Sequence, residues 1–241
     1  MRVRVLAATG AFVLFALLAA AVSLWPAVGA FDAMVSSAAL RRGLADPGWV
    51  SLLRVVTRGA DGVVLAVAGA VVGVALLATG RHRDLAVVVF GLVTAGLLLP
   101  ATQEIIGRPR PVGGFVSIPV PSFPSGHTVH ATTEALLAVL LLRRHVTGRL
   151  GAGLLVASAV AWPVVIGGCR VGLLAHWPTD VLGGWLLALG SLLAGTVLVD
   201  LVAARLRPAE ADRPAEADRP AVVAGRPAAV TDDRRVRPGR R

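Results

Sequence analysis

The segment Cys169–Trp185 carries residue types that can do chemistry, and it stands directly before an apolar run. Arg170, His176 and Asp180 follow R-x5-H-x3-D spacing. If His176 and Asp180 lie in the first turn of a helix, their spacing of four residues puts them on one face. A carboxylate there can hold one imidazole nitrogen and leave the other free to attack. We expect Arg170 on the approach loop, as a fork-shaped partner for a phosphate or carboxylate.

A second polar cluster, P-S-G-H at Pro124–His127, precedes another apolar run. Ser125 is a favourable N-cap residue, and Gly126 has no side chain that would keep a ligand away from the backbone. The first N–H groups of a helix point outward with the positive end of the helix dipole. This arrangement predicts an anion site suited to phosphate, with His127 beside it as a candidate proton donor.

A third cluster, Q-E-I-I-G-R-P-R-P, runs from Gln103 to Pro111. Its Arg110 and the distant Arg170 would supply two guanidinium forks that neutralise the oxygens of a phosphoryl group. Two histidines with ordinary pKa values near ~6.5 can then divide the work, His176 attacking and His127 donating a proton. This scheme needs no metal and no cofactor. A zinc site is the alternative use of the histidines, but two neighbouring arginines would repel a divalent cation.

The composition indicates an all-α membrane protein. Of the 241 residues, 56% are hydrophobic and 16% charged, and the mean hydropathy is +0.75. The net charge of +10 comes with no basic face interleaved with aromatic residues, so no nucleic-acid partner is expected. Membrane lipids are the expected surroundings. The single cysteine, Cys169, excludes an internal disulfide and reads as a small buried residue beside Arg170.

The apolar runs predict six membrane-spanning helices in residues 1–204. Because the first run is longer than the apolar core of most signal peptides, we interpret it as an uncleaved span. The predicted spans are Val5–Pro26, Gly62–Gly80, Leu85–Ile106, Gly126–Leu142, Leu150–Ile166 and Val181–Ala203.

Arginines at the ends of these runs favour cytoplasmic termini, because cytoplasmic loops carry an excess of positive charge. Four arginines in the first external loop run against this rule. With six crossings, the end of span three and the starts of spans four and six share one membrane face, which would be extracytoplasmic. All three polar clusters stand at those ends.

Two segments lie outside the predicted spans. Asp46 and Pro47 read as the cap and first residue of a short interfacial helix. Its apolar face would hold Trp49, Leu52, Leu53 and Val56, and its polar face Ser51, Arg54 and Arg58. Packing of this helix on the bundle is the alternative. Residues 205–241, rich in Arg, Pro and Ala with a doubled P-A-E-A-D-R unit, predict a disordered cytoplasmic tail.

The three clusters together resemble the type 2 phosphatidic acid phosphatase superfamily, which is related to the vanadium haloperoxidases. The family pattern is K-x6-R-P, P-S-G-H and S-R-x5-H-x3-D, and the similarity covers roughly residues 100–185. The resemblance implies a six-helix membrane core and a phosphohistidine intermediate on His176. It also implies His127 as general acid, Asp180 as the residue that orients His176, and phosphate binding by Arg110, Ser125, Gly126 and Arg170.

The sequence departs from this pattern at two positions. Gln103 stands where the family has lysine, and Cys169 replaces the serine before Arg170. Gln103 can donate a hydrogen bond to phosphate but adds no charge, and a charged donor is worth more than a neutral one. Rate or substrate charge is therefore in question at this position.

The expected function is that of a metal-independent phosphatase acting on a lipid phosphate. Polyprenyl diphosphate, phosphatidic acid and phosphatidylglycerol phosphate are the candidate substrates by resemblance. A phosphotransferase using the same histidine is one alternative, and a catalytically silent phospholipid-binding protein is another. The sequence indicates no oligomeric state.

Two further ionisable residues continue the His127 face of span four, namely His130 and Glu134. They would either support the site or pair with each other inside the bundle.

Overall fold

The computed structural model describes residues 1–206, which form eight α-helices and a short 3-10 turn without any β-strand. Residues 207–241, and with them nearly all of the predicted tail, lie outside the described residues. The helices are α1 Arg2–Leu24, α2 Pro26–Ala45, α3 Pro47–Thr57, α4 Gly62–Ala78, α5 His82–Ile106, α6 Gly126–Leu142, α7 Gly148–Gly172 and α8 Pro178–Arg205, with the 3-10 turn η1 at Arg58–Ala60 between α3 and α4.

Five helical segments are long and apolar enough to cross a membrane, namely α1, α3 with α4, α5, α7 and α8. The fourth predicted span corresponds to α6, which has only 17 residues. At about 1.5 Å per residue it falls short of a hydrocarbon core of about 30 Å. The all-helical prediction is confirmed for residues 1–206, and six crossings remain a prediction.

Helix α2 was absent from the sequence-based prediction, which left residues 31–45 without an assigned structure. Pro26 occupies the first helical position after the extended Trp25, where its missing N–H costs nothing. The helix has too little hydrophobicity to stand out in a hydropathy profile. One of its polar residues, Asp32, is fully buried against the bundle.

Two predicted helix boundaries near the segment Cys169–Trp185 are wrong. Helix α7 continues beyond Ile166 to Gly172, so Arg170 lies in its last turn and not on an approach loop. Helix α8 begins at Pro178, so His176 precedes the helix while Asp180 lies in its first turn.

The cap of α3 is confirmed, because Asp46 Oδ1 accepts a hydrogen bond from the Trp49 backbone N–H at 2.9 Å. The predicted apolar face is divided between the bundle and the surface. Val50, Leu53 and Thr57 are buried, whereas Trp49 and Leu52 remain exposed. Helix α3 packs against α7 on the Val50 side, which turns the other apolar residues outward.

Helix α8 forms the centre of the bundle and packs against α1, α5, α6, α7 and α2. Its Leu187 and Ala188 are fully buried in a cluster with Ala95 and Val129. Small residues allow the close approach of helices. A Cβ atom on Gly184 would lie 2.8 Å from the carbonyl oxygen of Ser125, so glycine lets the start of α6 pack directly against α8.

Replacing Gly184 with alanine should therefore destabilise the bundle. The new methyl group meets a backbone oxygen that cannot rotate away, and overpacking of this kind costs about 1–3 kcal/mol. The matched control is Gly153→Ala in α7, where a Cβ meets nothing within 4 Å. Thermal unfolding in detergent should place the Gly184→Ala midpoint below that of Gly153→Ala, and the reverse order would contradict this packing.

Candidate functional site

A cavity of about 490 Å³ opens where the three polar clusters meet. Six of the eight residues predicted for the site line it, and Ser125 and Asp180 lie buried behind its wall. The predicted residues on the wall are Gln103, Arg110, Gly126, His127, Arg170 and His176, joined by Arg54, Thr57, Arg58, Asp61, Val116, Ile118 and Val120.

The ends of four helices bring these residues together. Helix α5 ends at Gly107, whose φ of 60° is the left-handed conformation common at helix C-termini. The chain then runs without helical structure to Ser125, where α6 begins. Helix α7 contributes Arg170 from its last turn, and the short connection to α8 contributes His176.

His176 is held in one defined orientation. Its Nδ1 lies 2.8 Å from the backbone carbonyl oxygen of Ser122. A carbonyl oxygen can only accept a hydrogen bond, so we infer that Nδ1 carries the proton and that Nε2 has the lone pair. Nε2 lies 3.1 Å from a guanidinium nitrogen of Arg110 on the cavity wall. The neutral ring thus accepts a hydrogen bond from Arg110 through Nε2 and holds this lone pair at the cavity wall.

Asp180 acts on His176 from a greater distance than the Ser122 carbonyl. Its Oδ2 lies 3.5 Å from His176 Nδ1 and accepts a hydrogen bond from the Trp177 backbone N–H at 2.8 Å. Burial lowers the pKa of His176, Asp180 raises it, and Arg110 and Arg170 lower it further. The net lowering keeps the imidazole neutral at neutral pH, as a nucleophile requires.

A buried ionic network fixes Asp180. Arg108 donates to Asp180 Oδ1 through one guanidinium nitrogen and to Asp32 Oδ2, at 2.6 Å, through the other. Thr179 also donates to Asp32 from its hydroxyl and from its backbone N–H. Asp32 and Asp180 are fully buried, so one guanidinium joins α2, the loop after α5 and the start of α8.

Sequence reasoning missed Arg108 and Asp32. The R-P-R-P repeat offers two arginines, and the family pattern selected Arg110 alone. Asp32 lies 147 residues before Thr179, so no local spacing links them. The sequence signal at Asp32 is a single acidic residue among apolar and small neighbours.

Replacing Arg108 with methionine should leave two buried carboxylates without their cation. Breaking a buried ion pair by removing one partner costs about 3–5 kcal/mol. The matched control is Arg83→Met, which removes a half-exposed pair with Asp200 and should cost less than about 1 kcal/mol. The free energy of unfolding, measured by SDS titration in mixed micelles, should separate the two variants. Equal values would mean that the Arg108 network does not stabilise the fold.

His127 has a carboxylate partner that sequence reasoning also missed. Its Nε2 lies 2.8 Å from Asp61 Oδ1, and Asp61 comes from the turn between η1 and α4. This contact fixes the orientation of the His127 ring at the edge of the cavity. Asp61 is adjacent to an apolar span, so its sequence context indicated only a helix cap.

The two predicted phosphate-binding arginines differ in their hydrogen bonds. Arg110 donates to the backbone carbonyl oxygens of Val120, Pro121 and Ala175, so it also fixes the loop that it belongs to. Burial lowers the pKa of Arg110, and Asp180 opposes that shift. Arg170 is 3% exposed, and its Nε has no hydrogen-bond partner among residues 1–206. A buried N–H without an acceptor is costly, and a bound anion would satisfy it.

The other three predicted residues, Ser125, Gln103 and Gly126, act on the backbone around the start of α6. The Ser125 hydroxyl accepts a hydrogen bond from Thr128 and caps no helix N–H, whereas its backbone N–H donates to the Asp180 carbonyl oxygen at 3.0 Å. Gln103 donates to the Pro124 carbonyl oxygen at 3.1 Å and so ties α5 to the P-S-G-H segment. Gly126 leaves the first turn of α6 open to the cavity.

His130 and Glu134 do not pair with each other. His130 Nδ1 lies 3.1 Å from the carbonyl oxygen of Ala60. Glu134 accepts a hydrogen bond from the Trp162 indole N–H at 2.8 Å. His130 therefore supports the segment that carries Asp61, and Glu134 belongs to the contact between α6 and α7.

Comparison with known proteins gives the family. The model of the PAP2 superfamily matches residues 84–203, a range that contains all eight predicted site residues. The chain belongs to the PAP2 superfamily. No curated protein sequence matches it. Among the residues that the structure describes, no three His, Cys, Asp or Glu side chains form a group that could ligate a metal ion.

A solved PAP2 structure has the same fold. It is the crystal structure of a transmembrane PAP2-type phosphatidylglycerolphosphate phosphatase from Bacillus subtilis. The match has a TM-score of 0.66 and 26% sequence identity, and it covers 84% of this chain and 98% of that one. This similarity and the apolar helices show that the PAP2 chain is an integral membrane protein.

Proposed function

We propose that this PAP2 protein is a metal-independent lipid phosphatase that uses His176 as its nucleophile. The observation that carries the proposal is the cavity itself, where the His176 lone pair, His127 and the unsatisfied Arg170 face one space. Histidine nucleophile, proton donor and anion-binding cations are the parts that phosphoryl transfer needs.

The first step forms a bond between His176 Nε2 and phosphorus and breaks the bond from phosphorus to the leaving oxygen. His127 gives its proton to that oxygen, which leaves as the lipid alcohol or lipid phosphate. Arg170 and the N–H groups at the start of α6 stabilise the phosphoryl oxygens, on which negative charge is concentrated. Asp61 stabilises His127 while the ring is protonated.

The second step releases phosphate from the phosphohistidine. His127, now neutral, takes a proton from a water molecule, whose oxygen attacks phosphorus as the bond to Nε2 breaks. The products are inorganic phosphate and the neutral His176. Asp180 and the Ser122 carbonyl oxygen hold the ring in place through both steps.

The cavity also suits a lipid. Val116, Ile118 and Val120 add apolar side chains to its wall. With six crossings and cytoplasmic termini, the site would open at the extracytoplasmic face. Phosphatidylglycerol phosphate leads the candidate substrates because the similar Bacillus protein is a phosphatidylglycerolphosphate phosphatase by its title. Phosphatidic acid and polyprenyl diphosphate complete the panel.

The purified protein should release inorganic phosphate from at least one lipid of this panel in the presence of a metal chelator. His176→Ala should abolish release because the nucleophile is gone, whereas the matched variant His145→Ala, on the connection between α6 and α7, should retain it. Phosphate release by His176→Ala equal to that of the unchanged protein would contradict the proposal. If the phosphate of the substrate is labelled and the label appears in a lipid acceptor instead of in free phosphate, the protein is a phosphotransferase. Binding of the lipid without turnover would indicate a silent lipid-binding protein.

Activity should persist as the pH falls through 6.5, the ordinary pKa of histidine. Burial lowers the pKa of His176, so the ring stays neutral and nucleophilic below that pH and is protonated only under more acidic conditions. The measurement is kcat/KM against pH for two substrates whose phosphates ionise differently, since an acidic limb common to both belongs to the enzyme. A common limb centred at or above pH 6.5 would contradict this assignment.

A further inference from the structure

The cavity has a second group of cations that the chemistry above does not use. Arg54, in the last turn of α3, and Arg58, in η1, line its wall together with Asp61. All three precede residues 84–203, the range matched by the family model. This group forms a part of the wall that the three motif clusters do not supply.

The charge of the cavity exceeds what a single phosphoryl group requires. Four arginines and one aspartate line it among the described residues, which gives a formal charge of +3 with both histidines neutral. A phosphate monoester carries about −1.5 to −2 at neutral pH. A substrate with one phosphate would leave part of the positive charge without a partner.

The position of the second group relative to the reaction follows from Asp61. Its carboxylate contacts His127, the proposed proton donor to the leaving oxygen. In an in-line displacement the leaving oxygen departs on the side opposite the nucleophile, here His176. Arg58 stands three residues before Asp61 in the same turn, and Arg54 stands one helical turn earlier. From this adjacency we infer that both arginines line the leaving-group side of the cavity.

Both guanidinium groups have N–H donors that could bind an anion. Arg58 is exposed, and its guanidinium group makes no hydrogen bond or ion pair within residues 1–206. Arg54 uses one nitrogen to donate to the Phe115 carbonyl oxygen at 2.6 Å, which holds its side chain over the loop before α6. Its other N–H groups stay available to a phosphate.

We propose that Arg54 and Arg58 form a second anion subsite, which binds a phosphate carried by the leaving group. The inference rests on the proposed function and names its substrate class. The substrate is a lipid in which a second phosphate follows the phosphoryl group that His176 attacks. Diphosphate esters and phosphodiester-linked monophosphates share this chemistry, whereas simple lipid monophosphates lack it.

Two matched substrate pairs test the subsite. Farnesyl diphosphate and farnesyl monophosphate share one alcohol, and phosphatidylglycerol phosphate and phosphatidic acid share one lipid anchor. Arg58→Gln should lower kcat/KM about 10-fold or more for a two-phosphate substrate, as expected for a lost charged hydrogen bond. It should change the one-phosphate partner less than about twofold. Arg58→Lys should restore part of the loss, and Arg41→Gln on α2, outside the cavity, should change neither substrate.

The pair that responds identifies the substrate. If kcat/KM falls selectively for farnesyl diphosphate alone, the second phosphate belongs to a diphosphate. If it falls selectively for phosphatidylglycerol phosphate alone, the second phosphate lies beyond a glycerol spacer. Equal losses for both members of both pairs, or no loss for any substrate, would overturn the subsite. The proposed function would still stand in that case if phosphate release depends on His176.

A binding measurement separates the subsite from catalysis. By calorimetry, Arg58→Gln should weaken the binding of inorganic pyrophosphate about 10-fold and leave that of orthophosphate unchanged. If no lipid phosphate is hydrolysed but this selective loss is seen, the phosphatase assignment fails and the subsite is supported. Pyrophosphate binding that is unaffected by Arg58→Gln overturns the subsite.

Discussion

One buried guanidinium group, that of Arg108, holds together the segments on which the site depends. It lies between the carboxylates of Asp32 and Asp180, and both carboxylates are fully buried. Charges in such surroundings are tolerated only when they are paired and hydrogen-bonded. The pairing constrains α2, the loop after α5 and the start of α8 to one arrangement, and the neighbouring His176 is fixed within it.

The cavity has the opposite electrostatic character from this network. The network pairs its charges internally. The cavity wall, in contrast, carries an excess of positive charge and a buried Arg170 N–H that has no partner within residues 1–206. An anion resolves both features at once, because it neutralises the guanidinium groups and accepts the free hydrogen bond. The N-terminus of α6, opened by Gly126, adds further N–H donors. The buried network therefore pairs its charges within the protein, whereas the cavity offers donors and positive charge to an anion.

The sequence predicted the part of the site that motifs describe. His127, Arg170 and His176 could be placed at one location because their clusters stand at ends of apolar runs that share a membrane face. The contacts of Asp61 with His127 and of Ser122 with His176 span 66 and 54 residues, so no local periodicity reveals them. Arg54 and Arg58 appeared only as the polar face of a short helix. Their place on the cavity wall depends on how α3 packs against α7, which the sequence pattern does not reveal.

The central claim is that His176, His127 and Arg170 act on one phosphoryl-sized anion. The most direct measurement is an experimental structure of the purified protein with orthovanadate, which has the size and charge of the transferring phosphoryl group. The account predicts vanadium bonded to His176 Nε2, an oxygen accepting from Arg170 Nε, and His127 within hydrogen-bonding distance of the oxygen opposite His176. Vanadate bound away from His176, or contacting His176 with Arg170 and His127 directed elsewhere, would contradict it.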